Sequence, residues 1–195
     1  MTSFPARKSP SVIGISGSVR RPAKTTALIG TILKKIEAAY GTPGVLFDLL
    51  DAPELGSAID HTSIVGDLAK LIRAIESADV LVVGSPVYKG SYTGLFKHLF
   101  DLIGHDRLIG KPVILTASGG GDRHALVVEH QLRPLFGFFT AHSMATAIYV
   151  SDADFADGQM TAAPALKRVD SAVAELAPWL SQYATQAAMA ATGKE

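Results

Sequence analysis

The sequence predicts a three-layer α/β fold: a five-stranded parallel sheet in the order 2-1-3-4-5 with helices on both faces. Five short apolar runs, at 12–16, 45–50, 80–84, 113–117 and 147–151, punctuate the chain. Several show no polar alternation, as strands covered on both faces do. Segments with helical spacing lie between them, so a strand-helix unit repeats five times. Five strands suit this order better than a six-stranded dinucleotide fold.

Each helix has its own warrant. In the first, Leu28, Ile29, Ile32, Leu33 and Ile36 share one face and Lys34, Lys35 and Glu37 lie opposite, the stripe of an amphipathic helix. Similar periodicity predicts helices over about 64–77, 93–103 with Gly104 as its stop, 124–140 and 162–187. In the last, Leu176, Trp179 and Leu180 are read as core or subunit packing. Neither a repeat nor an inter-domain linker interrupts the chain, so residues 1–195 are read as one domain with flexible ends at 1–10 and 188–195.

The 195 residues are 48% hydrophobic and 18% charged, a composition that buries a core and excludes disorder. Eighteen basic side chains balance eighteen acidic ones, so no whole-molecule field draws nucleic acid or an anionic membrane. Any phosphate recognition must be local. With no cysteine, disulfides, thiolate nucleophiles and cysteine metal sites are excluded. The N-terminal stretch lacks the apolar core of a signal peptide, and no apolar run approaches the ~20 residues of a membrane helix. A cytoplasmic location is expected.

In open sheets of this order, ligands sit beyond the carboxyl ends of the strands, at the switch between the first and third. The loops after Ser16, Gly84 and Ala117 are therefore the places to search. The first runs Gly17-Ser18-Val19-Arg20-Arg21-Pro22-Ala23-Lys24-Thr25-Thr26. It combines a glycine turn, hydroxyls at Ser18, Thr25 and Thr26, charge at Arg20 or Lys24, and the free N–H groups of a helix start. A phosphate monoester suits such a loop. The plainer reading is that Thr25 or Thr26 caps the helix and the arginines are solvated. Neither the G-x-G-x-x-G nor the G-x-x-x-x-G-K-[ST] pattern is present, and Ser18 stands where the nucleophile elbow needs glycine.

The second loop, Gly84-Ser85-Pro86-Val87-Tyr88-Lys89-Gly90, has a rigidifying proline and glycines that let a planar heterocycle approach the backbone of Val87 and Tyr88. The third, Ser118-Gly119-Gly120-Gly121-Asp122, offers a concave set of backbone donors near ring carbonyls. In the fourth helix, Pro134 has no N–H for the carbonyl of His130. The ladder must be disturbed there, by a kink or a π-bulge, and π-bulges gather at functional sites.

Gly17-Ser18-Val19-Arg20, Ser85-Pro86-Val87-Tyr88-Lys89 with Ser91-Tyr92-Thr93-Gly94-Leu95-Phe96-Lys97, and Ser118-Gly119-Gly120 resemble the NAD(P)H-dependent FMN reductase family. The resemblance covers about residues 12–185 and is strongest to the reductases of two-component alkanesulfonate and methanesulfonate monooxygenase systems. It implies a flavodoxin-like fold that binds FMN, reduces it with NADH or NADPH and supplies reduced FMN to a separate monooxygenase. It implies that Ser18, Arg20, Thr25 and Thr26 hold the FMN phosphate, that Pro86, Val87, Tyr88 and Lys89 line the isoalloxazine, and that Ser118, Gly119 and Gly120 bond its polar edge. It also implies a homo-oligomer, dimer or tetramer, with His130 and Pro134 in a π-helical turn at the interface, where His130 tunes flavin exchange. The first loop departs from the family pattern, with Val19 where proline is usual and threonines in place of serines.

The same loops would serve an FMN-containing reductase of quinones, azo dyes or metal oxyanions, or a non-enzymatic electron carrier; zero net charge counts against the carrier. Hydride transfer between two cofactors demands no side-chain acid or base, so no catalytic side chain is expected. No metal site is expected either: His98, Asp101 and His105 lack a fourth ligand, and His124, Glu129 and His130 miss the H-E-x-x-H spacing.

Overall fold

A computed structural model describes residues 10–181, and the structural statements below concern those residues. One parallel sheet contains β1 (Val12–Ser16), β2 (Gly44–Asp48), β3 (Val80–Pro86), β4 (Pro112–Ser118) and two short segments, β5 (His142–Ser143) and β6 (Ile148–Val150). The order is β2-β1-β3-β4-β5, with β6 also on β4, which is the expected one.

The central strands are apolar on both faces because helices cover both. Val80 and Val82 of β3 pack with Leu28, Ile29 and Ile32 of α1 (Lys24–Tyr40) and with Val169 of α5 (Ala163–Ala174). Leu81 and Val83 point the other way, into a core with Leu71 of α2 (Gly66–Ser77), Phe96 and Phe100 of α3 (Gly94–Asp101) and Phe136 of α4 (Arg133–Phe138). This period-two division is the signature of a strand between two helical layers.

Three expectations are corrected. The fifth strand, expected over 147–151, is preceded by a separate pair at β5, and the connection between them leaves the ladder. Side chains satisfy its backbone instead: Glu175 accepts from the Thr146 N–H at 3.1 Å, and Arg133 donates to the Met144 carbonyl at 3.0 Å. The expected helix over 124–140 is three pieces, a 3-10 turn at Asp122–His124, a π-helical turn at Val128–Leu132 and α4; the disturbance at His130 is the one expected from Pro134, and it takes the form of the π-helical turn. The Arg133 N–H donates to the Val128 carbonyl, five residues back, where Pro134 has no N–H for His130. The last helix ends at Ala174 and resumes at 177–181, because Pro178 offers no N–H to the Ala174 carbonyl. Its expected extension to 187 and the ends at 1–9 and 188–195 lie outside the described residues.

A hairpin of β7 (Phe155–Ala156) and β8 (Gln159–Met160) had no counterpart in the sequence reading. Its signal was there: Asp157-Gly158, with φ of 49° and 74°, is a two-residue turn of the kind that closes hairpins. Among the described residues no helix is long and apolar enough to cross a membrane.

Candidate active site: a cleft at the strand ends

At the carboxyl end of the sheet, α1 follows β1 onto one face and α3 follows β3 onto the other, opening the crevice typical of a topological switch point. The three loops meet there around a cleft of about 330 Å³, within the ~300–1,000 Å³ range of small-molecule sites. Ser18, Arg20 and Thr25 line one part, Pro86, Val87 and Tyr88 another, and Ser118, Gly119 and Gly120 a third. Pro22, Ala23, Lys24 and Asp152 complete the walls; Thr26 and Lys89 are not among them.

The first loop is built around an uncapped helix. The N-cap of α1 is Ala23, with no side-chain cap and no acidic residue in the first turn. Its orphan N–H groups and positive dipole end are left for a ligand. Neither threonine caps the helix. Thr25 Oγ1 lies 2.6 Å from Ser118 Oγ, joining α1 to the end of β4, and Thr26 Oγ1 lies 2.9 Å from Ser16 Oγ. The adjacent arginines divide their work. Arg20 is exposed and has no ion pair among the described residues. Arg21 donates to Asp48 at 2.6 and 2.7 Å and also to Asp51, and these hydrogen bonds raise its pKa further above the ordinary arginine value. Arg21 therefore ties the loop to β2 while Arg20 faces the cleft. Lys24 pairs with Asp152 at 2.6 Å on the rim.

Short backbone bonds knit the other loops to the first. The Gly17 N–H donates to the Gly84 carbonyl at 2.6 Å, and the Val87 N–H to the Ser118 carbonyl at 2.8 Å. Thr93 caps α3 and donates its hydroxyl to the Gly17 carbonyl at 3.0 Å. A tight turn links Tyr88 and Ser91 through paired backbone bonds, with Lys89 and Gly90 at φ of 52° and 82°.

In the third loop, the Gly119 N–H donates to the Val150 carbonyl at 3.0 Å. The N–H groups of Gly120 and Gly121 have no partner among the described residues, and a Cβ on either would meet nothing within 4 Å. These two are the free donors. A Cβ on Gly119 would fall 2.2 Å from the Tyr149 hydroxyl, which donates to the Gly121 carbonyl at 2.6 Å. Burial raises the Tyr149 pKa, and Asp122, Asp152 and Asp154 add to the shift, so the phenol stays a donor. Sequence reasoning missed Tyr149 and Asp152: the first lies within the edge strand β6 and the second just after it, and both reach the site only through the fold. Tyr149→Phe should raise the dissociation constant for FMN severalfold and cost about 1 kcal/mol of stability. Flavin fluorescence titration and thermal melting check the two effects; an unchanged flavin affinity would remove Tyr149 from the site's support.

His130 and Pro134 line a different and larger cavity of about 680 Å³, between α3 and the π-helical turn, together with Tyr92, Phe100 and Phe138. It contains no uncapped helix start, since Thr93 caps α3, so the smaller cleft is the better match to a phosphate-bearing ligand. Among the described residues no group of three or more His, Asp or Glu side chains is placed to hold a metal. The His98 Nε2 lies 2.6 Å from the Ala58 carbonyl, and Asp101 pairs with Lys97.

The pattern of a protein family described as NADPH-dependent FMN reductase matches residues 10–155. The chain is 44% identical to the NADH-dependent FMN reductase SfnF of Pseudomonas fluorescens over 168 residues, 86% of this chain and 90% of that protein. It is 41% identical to an FMN reductase (NADPH) of Pseudomonas aeruginosa, again over 86% of this chain and 90% of the other. Among solved structures, the apo form of an NADH:FMN oxidoreductase (EMOB) matches with a TM-score of 0.77 at 25% identity, covering 88% of this chain and 90% of that one.

Proposed function

We propose, from the premise that this chain belongs to the NADPH-dependent FMN reductase family, that it is the reductase half of a two-component system. It is an NAD(P)H-dependent FMN reductase with a flavodoxin-like fold. On this reading FMN visits as a substrate, and its reduced form passes to a separate flavin-dependent monooxygenase acting on alkane- or methanesulfonates. The likeness of the three loops to reductases of such systems supports the partner assignment, and the 44% identity to SfnF agrees with it.

The observation that carries the reading is the uncapped start of α1 in the same cleft as Arg20. That donor set fits a phosphate on its own chemistry, because it presents N–H groups and positive charge. We assign the phosphate to Ser18, Arg20 and the α1 start, with Thr25 and Thr26 holding that start against β4 and β1. The ring is assigned to Pro86, Val87 and Tyr88, with Lys89 at the turn beside it. Its polar edge is assigned to the loop of Ser118, Gly119 and Gly120, where the N–H of Gly120 is free and that of Gly119 serves the ladder. When bound, the flavin supplies the hydride acceptor, chemistry that belongs to the two nucleotides. The chain contributes binding, orientation and backbone donors that favour negative charge at the ring edge.

A homo-oligomer belongs to the same proposal, with His130 and Pro134 at its interface. Supporting it, Phe138, which lines the cavity of about 680 Å³ with His130 and Pro134, is 72% exposed, an apolar surface suited to a second copy. A cytoplasmic setting is proposed on the absence of cysteine. The test is NADH and NADPH oxidation by purified protein under titration with free FMN. Turnover that saturates in FMN is expected. Bound flavin with turnover only on adding a quinone would favour a quinone-reducing flavoenzyme, and no nucleotide oxidation in either case would overturn both.

A further inference from the structure

We infer that a hollow beside the flavin cleft, walled by Arg123, His124 and His130, binds a phosphate group of the nicotinamide nucleotide. The inference rests on the reductase reading above. The hollow holds about 210 Å³, with Gly90 on one side and Arg123, His124, His130 and Gln131 on the other.

Its position follows from the loops. Gly90 is two residues beyond Tyr88 of the ring loop, and Arg123 is three beyond Gly120 of the donor loop. At ~3.6 Å per residue, Arg123 lies within about 11 Å of Gly120. A nicotinamide stacked on the open face of a ring in the cleft would leave the rest of its nucleotide outside the cleft, within reach of that rim. The Ser91 hydroxyl donates to Gln131 Oε1 at 3.1 Å, which ties the turn containing Gly90 to the π-helical turn and fixes the spacing of the two walls.

The charge has one sign. No acidic side chain lines the hollow. Neighbouring Glu129 accepts two hydrogen bonds from Arg133, at 2.5 and 3.0 Å, and Asp122 lines a separate depression with Tyr149. Most described arginines are committed: Arg21 to Asp48, Arg133 to Glu129, Arg168 to the Ala147 carbonyl and Arg107 to Glu76 and Asp106. Arg20, Arg73 and Arg123 have neither an ion pair nor a side-chain hydrogen bond among the described residues. Arg73 sits on the outside of α2, whereas Arg20 and Arg123 line the cleft and the hollow beside it. A guanidinium fork flanked by two imidazoles supplies the donors that a phosphate accepts, with no carboxylate to repel it.

Two phosphates could fill it: the bridging pyrophosphate common to NADH and NADPH, or the 2′-phosphate of NADPH alone. The experiment measures KM for NADH and for NADPH, at saturating FMN, in the wild type, Arg123→Glu and Arg123→Lys, with Lys34→Glu on the outer face of α1 as a control for net charge. Arg123→Glu should raise KM about tenfold or more, equivalent to about 1.4 kcal/mol, while kcat and FMN affinity stay within about twofold, and Arg123→Lys should recover part of the loss. Equal rises for both nucleotides identify the pyrophosphate; a rise for NADPH alone identifies the 2′-phosphate. An unchanged KM for both, or a rise matched by Lys34→Glu, overturns the inference. A second readout needs no turnover: ADP-ribose and its 2′-phosphate are titrated calorimetrically into FMN-loaded wild type and Arg123→Glu. Binding of either that is lost in the variant supports the hollow even if the reductase reading fails, and binding of neither to the wild type overturns it.

Discussion

Arg20→Ala should raise the FMN dissociation constant by about tenfold to a hundredfold, the loss expected when a hydrogen bond worth ~1.5–3 kcal/mol to a charged group is removed. Arg20 bonds Ser18 only through its backbone, and its exposed guanidinium has no partner among the described residues, so removing the side chain leaves no orphaned group behind. Thermal stability should therefore change by less than ~0.5 kcal/mol. Arg21→Ala is the informative contrast. Arg21 spends its guanidinium on Asp48 and Asp51, and Asp48 is only 4% exposed. Its loss should loosen the loop and lower the melting temperature before it touches the phosphate. Quenching of flavin fluorescence on titration measures both affinities, and an unchanged dissociation constant in Arg20→Ala would refute the phosphate assignment.

Gly84→Ala should be the most destabilising single methyl in the site. A Cβ on Gly84 would stand 2.1 Å from Thr116 Oγ1, with Ile29 Cδ1 at 3.2 Å and Thr25 Cγ2 at 3.3 Å. The Thr116 hydroxyl cannot swing away freely, because it donates to the Val83 carbonyl at 3.1 Å inside the sheet. Overpacking of this kind costs about 1–3 kcal/mol, and fixed neighbours on two sides put this case at the upper end. For a chain of this length, ~3 kcal/mol lowers the melting temperature by roughly 6–12 °C. Thr25 would be pushed as well, so flavin affinity should fall with stability. Adding Thr116→Ala removes the closest clash and should restore at least ~1 kcal/mol, a coupling that a double-mutant cycle reads directly. If Gly84→Ala melts with the wild type, the close approach of β3 and β4 around Gly84 is not as described.

The sheet was legible because its strands are covered on both faces: Val80 to Val83 and Val113 to Leu115 are buried without exception, and unbroken apolar runs announce that state. The three loops were legible for a related reason, since glycine, proline and hydroxyl residues at strand ends mark backbone that a ligand approaches. The edge was harder to read. His142–Ser143 is too short for a periodic signal, and its separation from β6 is set by Glu175 and Arg133 from distant parts of the chain. Pro134 announced a fault in the fourth helix, but not that the π-helical turn would open both a large cavity and a basic hollow. Pro178 carries the same warning for the last helix, which ends at Ala174.

In the site, the sequence pointed to the residue types and not to their division of labour. Arg20 and Arg21 are identical in type and adjacent, and only the position of Asp48 at the end of β2 separates anchor from ligand donor. Thr25 and Thr26 looked like phosphate ligands or caps. In the fold their hydroxyls join α1 to β4 and β1, which leaves the helix start bare. Gly119 looked like a ring donor, yet its N–H completes the ladder to β6 and the free donors are shifted one residue on. Such assignments depend on what the neighbouring strand offers, and a single sequence does not contain that register.

The most direct test is a crystal structure of the protein with FMN bound. The account predicts the phosphate within ~3 Å of the Arg20 guanidinium and the first N–H groups of α1, and the ring against Pro86 to Tyr88 with its polar edge at Gly120. FMN seated in the cavity of about 680 Å³ between α3 and the π-helical turn, with the α1 start bare, would contradict it.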